Sequence, residues 1–171
     1  MKPNFPDIQL MYMDTDSFIY HIQTDDIFND FYHLTNFFDT SDYPRDHRNY
    51  SLSNKKVLGK FKDEVNGKII TSYVGLRPKM YALNVDGQIK KRAKGVQRAT
   101  LEKHISFQDY ISVLQNQSTL LSDMRRIVSH DHVVTTDVLR KKSLSFFDDK
   151  RFILADGTST LPHGHFSFEI Q

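Results

Sequence analysis

Asp7-Ile8-Gln9-Leu10-Met11-Tyr12-Met13-Asp14-Thr15-Asp16-Ser17-Phe18-Ile19-Tyr20-His21-Ile22 is the stretch on which the fold turns. Two apolar runs, residues 8–13 and 18–22, enclose the polar insert Asp14-Thr15-Asp16-Ser17. Aromatic and branched residues on both sides of a four-residue polar break predict a β-hairpin. Helix propensity across Asp-Thr-Asp-Ser is poor, which argues against one continuous helix. The hairpin therefore carries two carboxylates, Asp14 and Asp16, at its tip.

Downstream the pattern changes. Thr24-Asp25-Asp26 offers an N-cap with acids in the first turn. Ile27, Phe28, Phe31, Leu34 and Phe38 then follow near helical spacing and predict an amphipathic helix whose phenylalanines, Phe37 included, pack a core. Residues 39–54 read as a loop. Residues 57–96 read as a strand meander: 57–65, a turn at Asn66-Gly67, 68–76, a break at Pro78, 79–85, a turn at Asp86-Gly87, and 88–96. Ser106-Phe107-Gln108-Asp109 forms a capping-box pattern with Asp in place of Glu, opening a helix that ends near Asn116. Short β-like runs at 126–128, 132–139 and 151–154 complete the chain, with Asp156-Gly157 and Pro162 after them. The fold class expected is α+β with antiparallel strands.

Composition narrows the function. The 171 residues contain no cysteine, which excludes a disulfide scaffold, thiolate zinc and thiol nucleophiles. A chain this long buries roughly 70% of its extended surface. No run of about 18 apolar residues occurs, and residues 1–6 lack the apolar run of a secretory signal, so a soluble, intracellular protein without a membrane partner is expected. The net charge of +2 conceals a strong asymmetry. Residues 7–44 hold eight aspartates and no Lys or Arg, whereas residues 77–98 hold seven basic side chains against one acid. Such blocks suit a site that handles cations and anions side by side; two solvated faces of opposite sign are the plain alternative.

Two carboxylates at a hairpin tip are costly unless something positive neutralises them, and a hard divalent cation does so. Asp and Ser are also ordinary turn residues, so the D-x-D spacing alone leaves both readings open. Lys79 and Tyr81, at i and i+2 of an expected strand, offer one cation and one hydroxyl on one side. Lys90, Arg92 and Lys94 alternate along another expected strand. They are candidates for phosphate-backbone contacts, or else charges that guard a sheet edge. The pairs His130/His132 and His163/His165 lack a third ligand for zinc. No P-loop, dinucleotide fingerprint or G-x-S-x-G elbow is present. Two glycosylation sequons, at Asn49 and Asn116, have no use in an intracellular chain.

Tyr12-Met13-Asp14-Thr15-Asp16-Ser17 resembles the Y-x-D-T-D-S motif of family B DNA polymerases, which sits at the turn of a palm-domain hairpin. Arg77-Pro78-Lys79-Met80-Tyr81 resembles the K-x-Y motif of the same family, most typically in its protein-primed branch. Lys90-Lys91-Arg92-Ala93-Lys94-Gly95-Val96 resembles the basic K-G-hydrophobic strand that follows. Residues 153–157 and 160–165 resemble a tail found in polymerases of virus-like mobile elements (the Polinton or Maverick type) and linear plasmids. The resemblance thus runs along nearly the whole chain.

It implies two-metal nucleotidyl transfer, with two Mg²⁺ ions about 3.5–4 Å apart. Asp16 would be a direct metal ligand and Asp14 a supporting or alternative one, with Tyr12, Thr15 and Ser17 completing the motif. Lys79 and Tyr81 would hold the primer end. The implied partners are primer–template DNA, deoxynucleoside triphosphates and a terminal priming protein; a nuclear location is compatible. The upstream D-x-x-S-L-Y-P-like carboxylate motif and the K-x-x-x-N-S-x-Y-G fingers helix are both missing. The chain is therefore expected to be the C-terminal portion of a polymerase, with residues 1–98 the later part of the palm and 99–171 the thumb and tail. Alone it should not polymerise. Two alternatives from other classes are a non-catalytic DNA-binding remnant of a mobile-element polymerase and an interaction domain whose D-T-D turn is coincidental.

Overall fold

The structure, a computed structural model, describes residues 3–147, 151–155, 159–162 and 164–166. Its order is β1 (Gln9–Asp14), β2 (Ser17–His21), α1 (Ile27–His33), β3 (Phe38–Asp39), β4 (Phe61–Lys62), β5 (Ile70–Arg77), β6 (Met80–Val85) and β7 (Gln88–Ala93). There follow α2 (Arg98–His104), α3 (Phe107–Gln115), β8 (Thr119–His130), β9 (Val133–Ser145), β10 (Arg151–Ile153) and β11 (Thr160–Pro162). The class is α+β, as expected, and the sheets are mostly antiparallel. Two units separate: Met1–Tyr73 with Leu83–Lys90, and Val74–Ala82 with Lys91–Gln171. The sheet β5-β6-β7 contributes strand segments to each.

In the first unit β1 and β2 pair antiparallel, with Asp14 opposite Ser17. Asp26 caps α1 by accepting from the N–H groups of Phe28 and Asn29 at 3.0 and 3.2 Å. Arg48 donates to the same carboxylate, and this bond above all holds it below the usual carboxylate range. The helix stops at His33, short of the span expected, because a 3-10 turn at Thr35–Phe37 intervenes and Phe38 enters β3. Phe38 is buried, but Phe37 faces outward and is no core residue.

The strand expected over 57–65 shrinks to Phe61–Lys62, which pairs parallel with β3. Asn66-Gly67 is consequently no hairpin turn. The Asp63 carboxylate accepts from the N–H groups of Val65 and Gly67, both at 2.9 Å, so local side-chain bonds replace the ladder.

The loop 39–54 is firmly tied. Asp39 accepts from the N–H groups of Ser41 and Lys56 at 3.0 and 3.1 Å. Asn49 donates to the Phe28 carbonyl at 2.6 Å, and Asn54 to those of Thr35 and Phe38 at 2.8 and 2.9 Å. Tyr43 is buried between Phe28 and His47; burial, and secondarily the Asp63 carboxylate, push its phenol upward.

The second unit has the denser core: Val74, Met80, Ala82, Ala93, Leu101, Ile105, Tyr110, Val113 and Leu144. The capping box forms as predicted, with the Asp109 N–H donating to Ser106 Oγ at 3.2 Å and the Ser106 N–H to Asp109 Oδ2 at 2.7 Å. The helix it opens is capped by Asn116. Tyr110, fully buried, donates its hydroxyl to the Arg92 carbonyl at 2.8 Å and fastens α3 to β7.

Of the three short runs expected near the end, 151–154 corresponds to β10, whereas 126–128 and 132–139 fall in one long hairpin, β8–β9, closed by Asp131-His132 at φ 48° and 64°. Ser143 makes a bulge near its base: its hydroxyl donates to the Leu120 carbonyl at 3.0 Å and accepts from Ser122 at 2.8 Å. Short strands β10 and β11 pair antiparallel. Asp156, Gly157 and His163, on which part of the tail pattern rests, lie outside the described residues.

Replacing Ser106 with Ala should lower the stability of this unit by about 1 kcal/mol, read as a shifted urea midpoint at unchanged slope. The Asp39 carboxylate, lowered first by its bond with the Ser41 side chain, stabilises the folded chain above the unfolded carboxyl pKa. That contribution disappears as pH falls through the depressed value. Asp39→Asn should therefore flatten the acid limb of the stability profile measured by circular dichroism below about pH 4.

Candidate functional site

The hairpin tip is tighter than the four-residue break suggests. Asp14 ends β1, Ser17 starts β2, and only Thr15 and Asp16 lie between them. The Asp16 N–H donates to the Asp14 carbonyl at 2.7 Å, an i→i+2 bond, and Thr15 sits at φ 58°. That combination is the rarer, strained form of γ-turn. A β-branched residue in left-handed backbone is an outlier, and such outliers persist where the surroundings over-determine them. Ser17 Oγ also donates to the Asp14 carbonyl, at 3.2 Å. The Asp14 carboxylate is half-buried and accepts a long bond, 3.5 Å, from the Tyr12 hydroxyl, while Asp16 is exposed at the apex.

Pairing register sorts the hairpin into two unlike faces. Tyr12 opposite Ile19 and Asp14 opposite Ser17 share one; Leu10 opposite Tyr20 and Met13 opposite Phe18 share the other. A register shift between Leu10 and Tyr12 keeps Leu10 and Met13 together. The second face is apolar and exposed. From it an aromatic chain runs on: Tyr20 stacks on Phe18 at 5.7 Å, Phe18 meets Phe61 at 6.4 Å, Phe61 meets Phe38 at 6.1 Å, and Phe38 meets Phe31 at 4.3 Å.

The basic residues are positioned by turns as much as by strands. Lys79 is not on a strand: β6 begins at Met80, and Lys79 occupies the second central position of the turn after Pro78, at φ 61°. Pro78 fixes its own φ and lacks a donor, which ends β5 there. Tyr81 lies on β6, half-buried. The i, i+2 strand argument for Lys79 and Tyr81 thus gives way to a turn–strand pair.

Lys90 and Arg92 are both exposed on β7, while of the alternate residues Lys91 is half-buried and Ala93 buried but Ile89 is exposed. Ala93 is buried, and Lys91 donates to the Ile105 and Glu102 carbonyls at the end of α2. Lys94 departs from the pattern, because β7 ends at Ala93 and Lys94 opens the Lys94-Gly95 turn. Its N–H donates to the Lys79 carbonyl at 3.0 Å, so these two lysines share one end of the second unit. The tip with Asp14 and Asp16 belongs to the first unit, and Lys79, Tyr81, Arg92 and Lys94 to the second.

The oxygen-only donor pair at the apex fits Mg²⁺, which commonly takes one or two carboxylates plus substrate phosphates rather than an all-protein cage. Among the described residues no three His, Cys, Asp or Glu side chains gather to form such a cage. Nor is any helix among them long and apolar enough to cross a membrane. One feature escaped the sequence reading: a crevice lined by Pro3, Asn4, Leu34, Phe37, Phe38 and Phe61 in the first unit. Its signal was present in Lys60-Phe61-Lys62, where basic and aromatic residues interleave.

Comparison with protein-family models, with curated proteins and with solved structures finds no match to this chain.

If Thr15 is strained, Thr15→Gly should leave stability unchanged or raise it by up to about 1 kcal/mol in urea unfolding, since glycine accepts positive φ without a Cβ clash. A loss larger than that would mean the side chain stabilises the turn.

Proposed function

We propose that this chain is the C-terminal palm-and-thumb portion of a protein-primed family B DNA polymerase, with an incomplete active site of its own. The observation that carries the reading is the Asp14-Thr15-Asp16 tip: a two-residue reversal that presents one exposed and one half-buried carboxylate around a strained threonine. Turn chemistry alone does not call for threonine at positive φ, because glycine or asparagine serves there more cheaply.

On this reading Asp16 and Asp14 would hold Mg²⁺. The ion supplies charge neutralisation at a transferring phosphoryl group when bound. Lys79 offers an ammonium and Tyr81 a hydroxyl to the phosphate or sugar of a primer end. Lys90 and Arg92, held outward by the burial of Ala93, contact duplex phosphates without reading sequence, and Lys94 adds a cation beside Lys79. Deoxynucleoside triphosphates and a priming protein belong to the complete enzyme, whose remaining carboxylate and fingers residues would come from other polypeptide.

The purified 171 residues with Mg²⁺, deoxynucleoside triphosphates and a primed template should give no primer extension; extension would overturn the incompleteness of the site. Mn²⁺, followed by water-proton relaxation, should bind weakly to the chain and more weakly still to Asp16→Asn. Equal Mn²⁺ binding by the two proteins would remove Asp16 from the metal site. The same chain should bind duplex DNA, with a log–log salt slope that falls by about 2 in a Lys90→Ala/Arg92→Ala double variant. DNA binding without Mn²⁺ binding would favour the non-catalytic remnant.

A further inference from the structure

The crevice of the first unit has no role in the polymerase reading. Its volume is about 320 Å³, at the lower limit for ligand pockets, so it has room for one ring system and little more. Apart from Asn4 its lining is apolar and aromatic. Phe37 is 56% exposed and Phe61 40%, whereas Phe38, also in the lining and 6.1 Å from the Phe61 ring, is buried. Two rings therefore offer uncovered surface on a floor of packed aromatics.

The rim is basic. Lys60 precedes Phe61, and its ammonium donates to the Asn36 carbonyl, immediately before Phe37. The Lys60 ammonium is thus held at the residue that precedes Phe37, while Lys60 itself precedes Phe61. Lys62 is partnered by Asp42 at 2.6 Å, and Asp39 is occupied by backbone N–H groups, so the neighbouring carboxylates are already engaged. Residues 55–62 carry four lysines and no acid.

An apolar side chain from a protein partner would fill the crevice but leave the lysine unused. A ligand with a flat ring and a phosphate one bond system away uses both. We infer that the Phe37–Phe61 crevice seats one unstacked base of single-stranded DNA, with Lys60 on the adjacent phosphate. Base–aromatic stacking tolerates any sequence, and the lysine contributes a salt-dependent, sequence-independent contact. The inference rests on the nucleic-acid reading above for the class of its ligand, but on residues that reading does not use.

The test is fluorescence anisotropy of the full chain with a labelled 12-mer of thymidylate at low salt, beside a 12-mer of abasic sites and a duplex. Wild-type protein should prefer the thymidylate strand to the abasic strand by about five-fold or more. Phe37→Leu, which keeps the lining apolar, should erase that preference and leave duplex affinity unchanged. Lys60→Gln should lower the single-strand salt slope by about 0.7. Equal binding of thymidylate and abasic strands by wild-type protein would overturn the base seat without any variant, while duplex binding sensitive to Lys90 and Arg92 persisted. A chain that bound neither strand nor duplex would overturn the nucleic-acid reading itself.

Discussion

The burial of Tyr110 organises the second unit. Its ring fills the centre of the core, and its hydroxyl meets the Arg92 carbonyl at 2.8 Å. Burial pushes the phenol upward, which favours the protonated, donating form. A buried hydroxyl without that carbonyl would cost more than the bond itself returns, so α3 and β7 are held in one arrangement. With Ala93 and Lys91 turned toward the helices, Arg92 has only the solvent side left. A charged surface is here the consequence of an apolar packing choice made one residue away.

The two units organise themselves differently. In the second, α3 and the base of β8–β9 surround an aliphatic cluster, and hydrophobic burial dominates. In the first, single side chains act as small organising centres for the backbone: Asp26 for α1, Asp39 and Asn54 for the loop, Asp63 for the turn before β5. Each is a short polar residue that substitutes for ladder hydrogen bonds. That helps to order an acidic segment: two of its aspartates, Asp26 and Asp39, accept backbone N–H groups, which stabilise both carboxylates in their charged form.

This difference decides what could be read in advance. The β1–β2 hairpin and the Ser106–Asp109 box were legible because each is local and rests on alternation or a cap of fixed spacing, whereas the cap of α1 was read only as the stretch Thr24-Asp25-Asp26 and falls on Asp26. The strand over 57–65 was misread because Asn66-Gly67 carries a hairpin signal, whereas the carboxylate of Asp63 three residues earlier takes the N–H groups a hairpin would use. The long β8–β9 pair was seen only in fragments, since Arg125, Arg126 and Arg140–Lys142 interrupt its apolar alternation while Asp137 pairs with Arg126 across the strands at 3.0 Å. Within the candidate site, the spacing of Asp14 and Asp16 showed a hairpin tip, and their reading as metal ligands rested on the resemblance of residues 12–17. The placement of Lys79 and Lys94 in turns was not legible, because it depends on where a strand ends. Phe37 and Phe61 line one crevice through the parallel pairing of β3 with β4, a contact across 23 residues of which the interleaved Lys60-Phe61-Lys62 shows only one side.

The hairpin β8–β9 also has a mechanical meaning. Twelve residues at about 3.3 Å each make an arm of roughly 40 Å. Its far half is uncovered, with Ile127 78% exposed, and its near end is pinned where Ser143 bulges against Leu120 and Leu144 enters the core. A bulge adds bend and twist at the root, but buried Met124 and the bond from Gln97 to the Arg125 carbonyl hold the strand to mid-length. That leaves about five residues, roughly 16 Å, and a rotation of about 5° there would carry the tip through only about 1.4 Å. Met124 and Gln97, more than the serines at the root, therefore set where Asp131 and His132 are held.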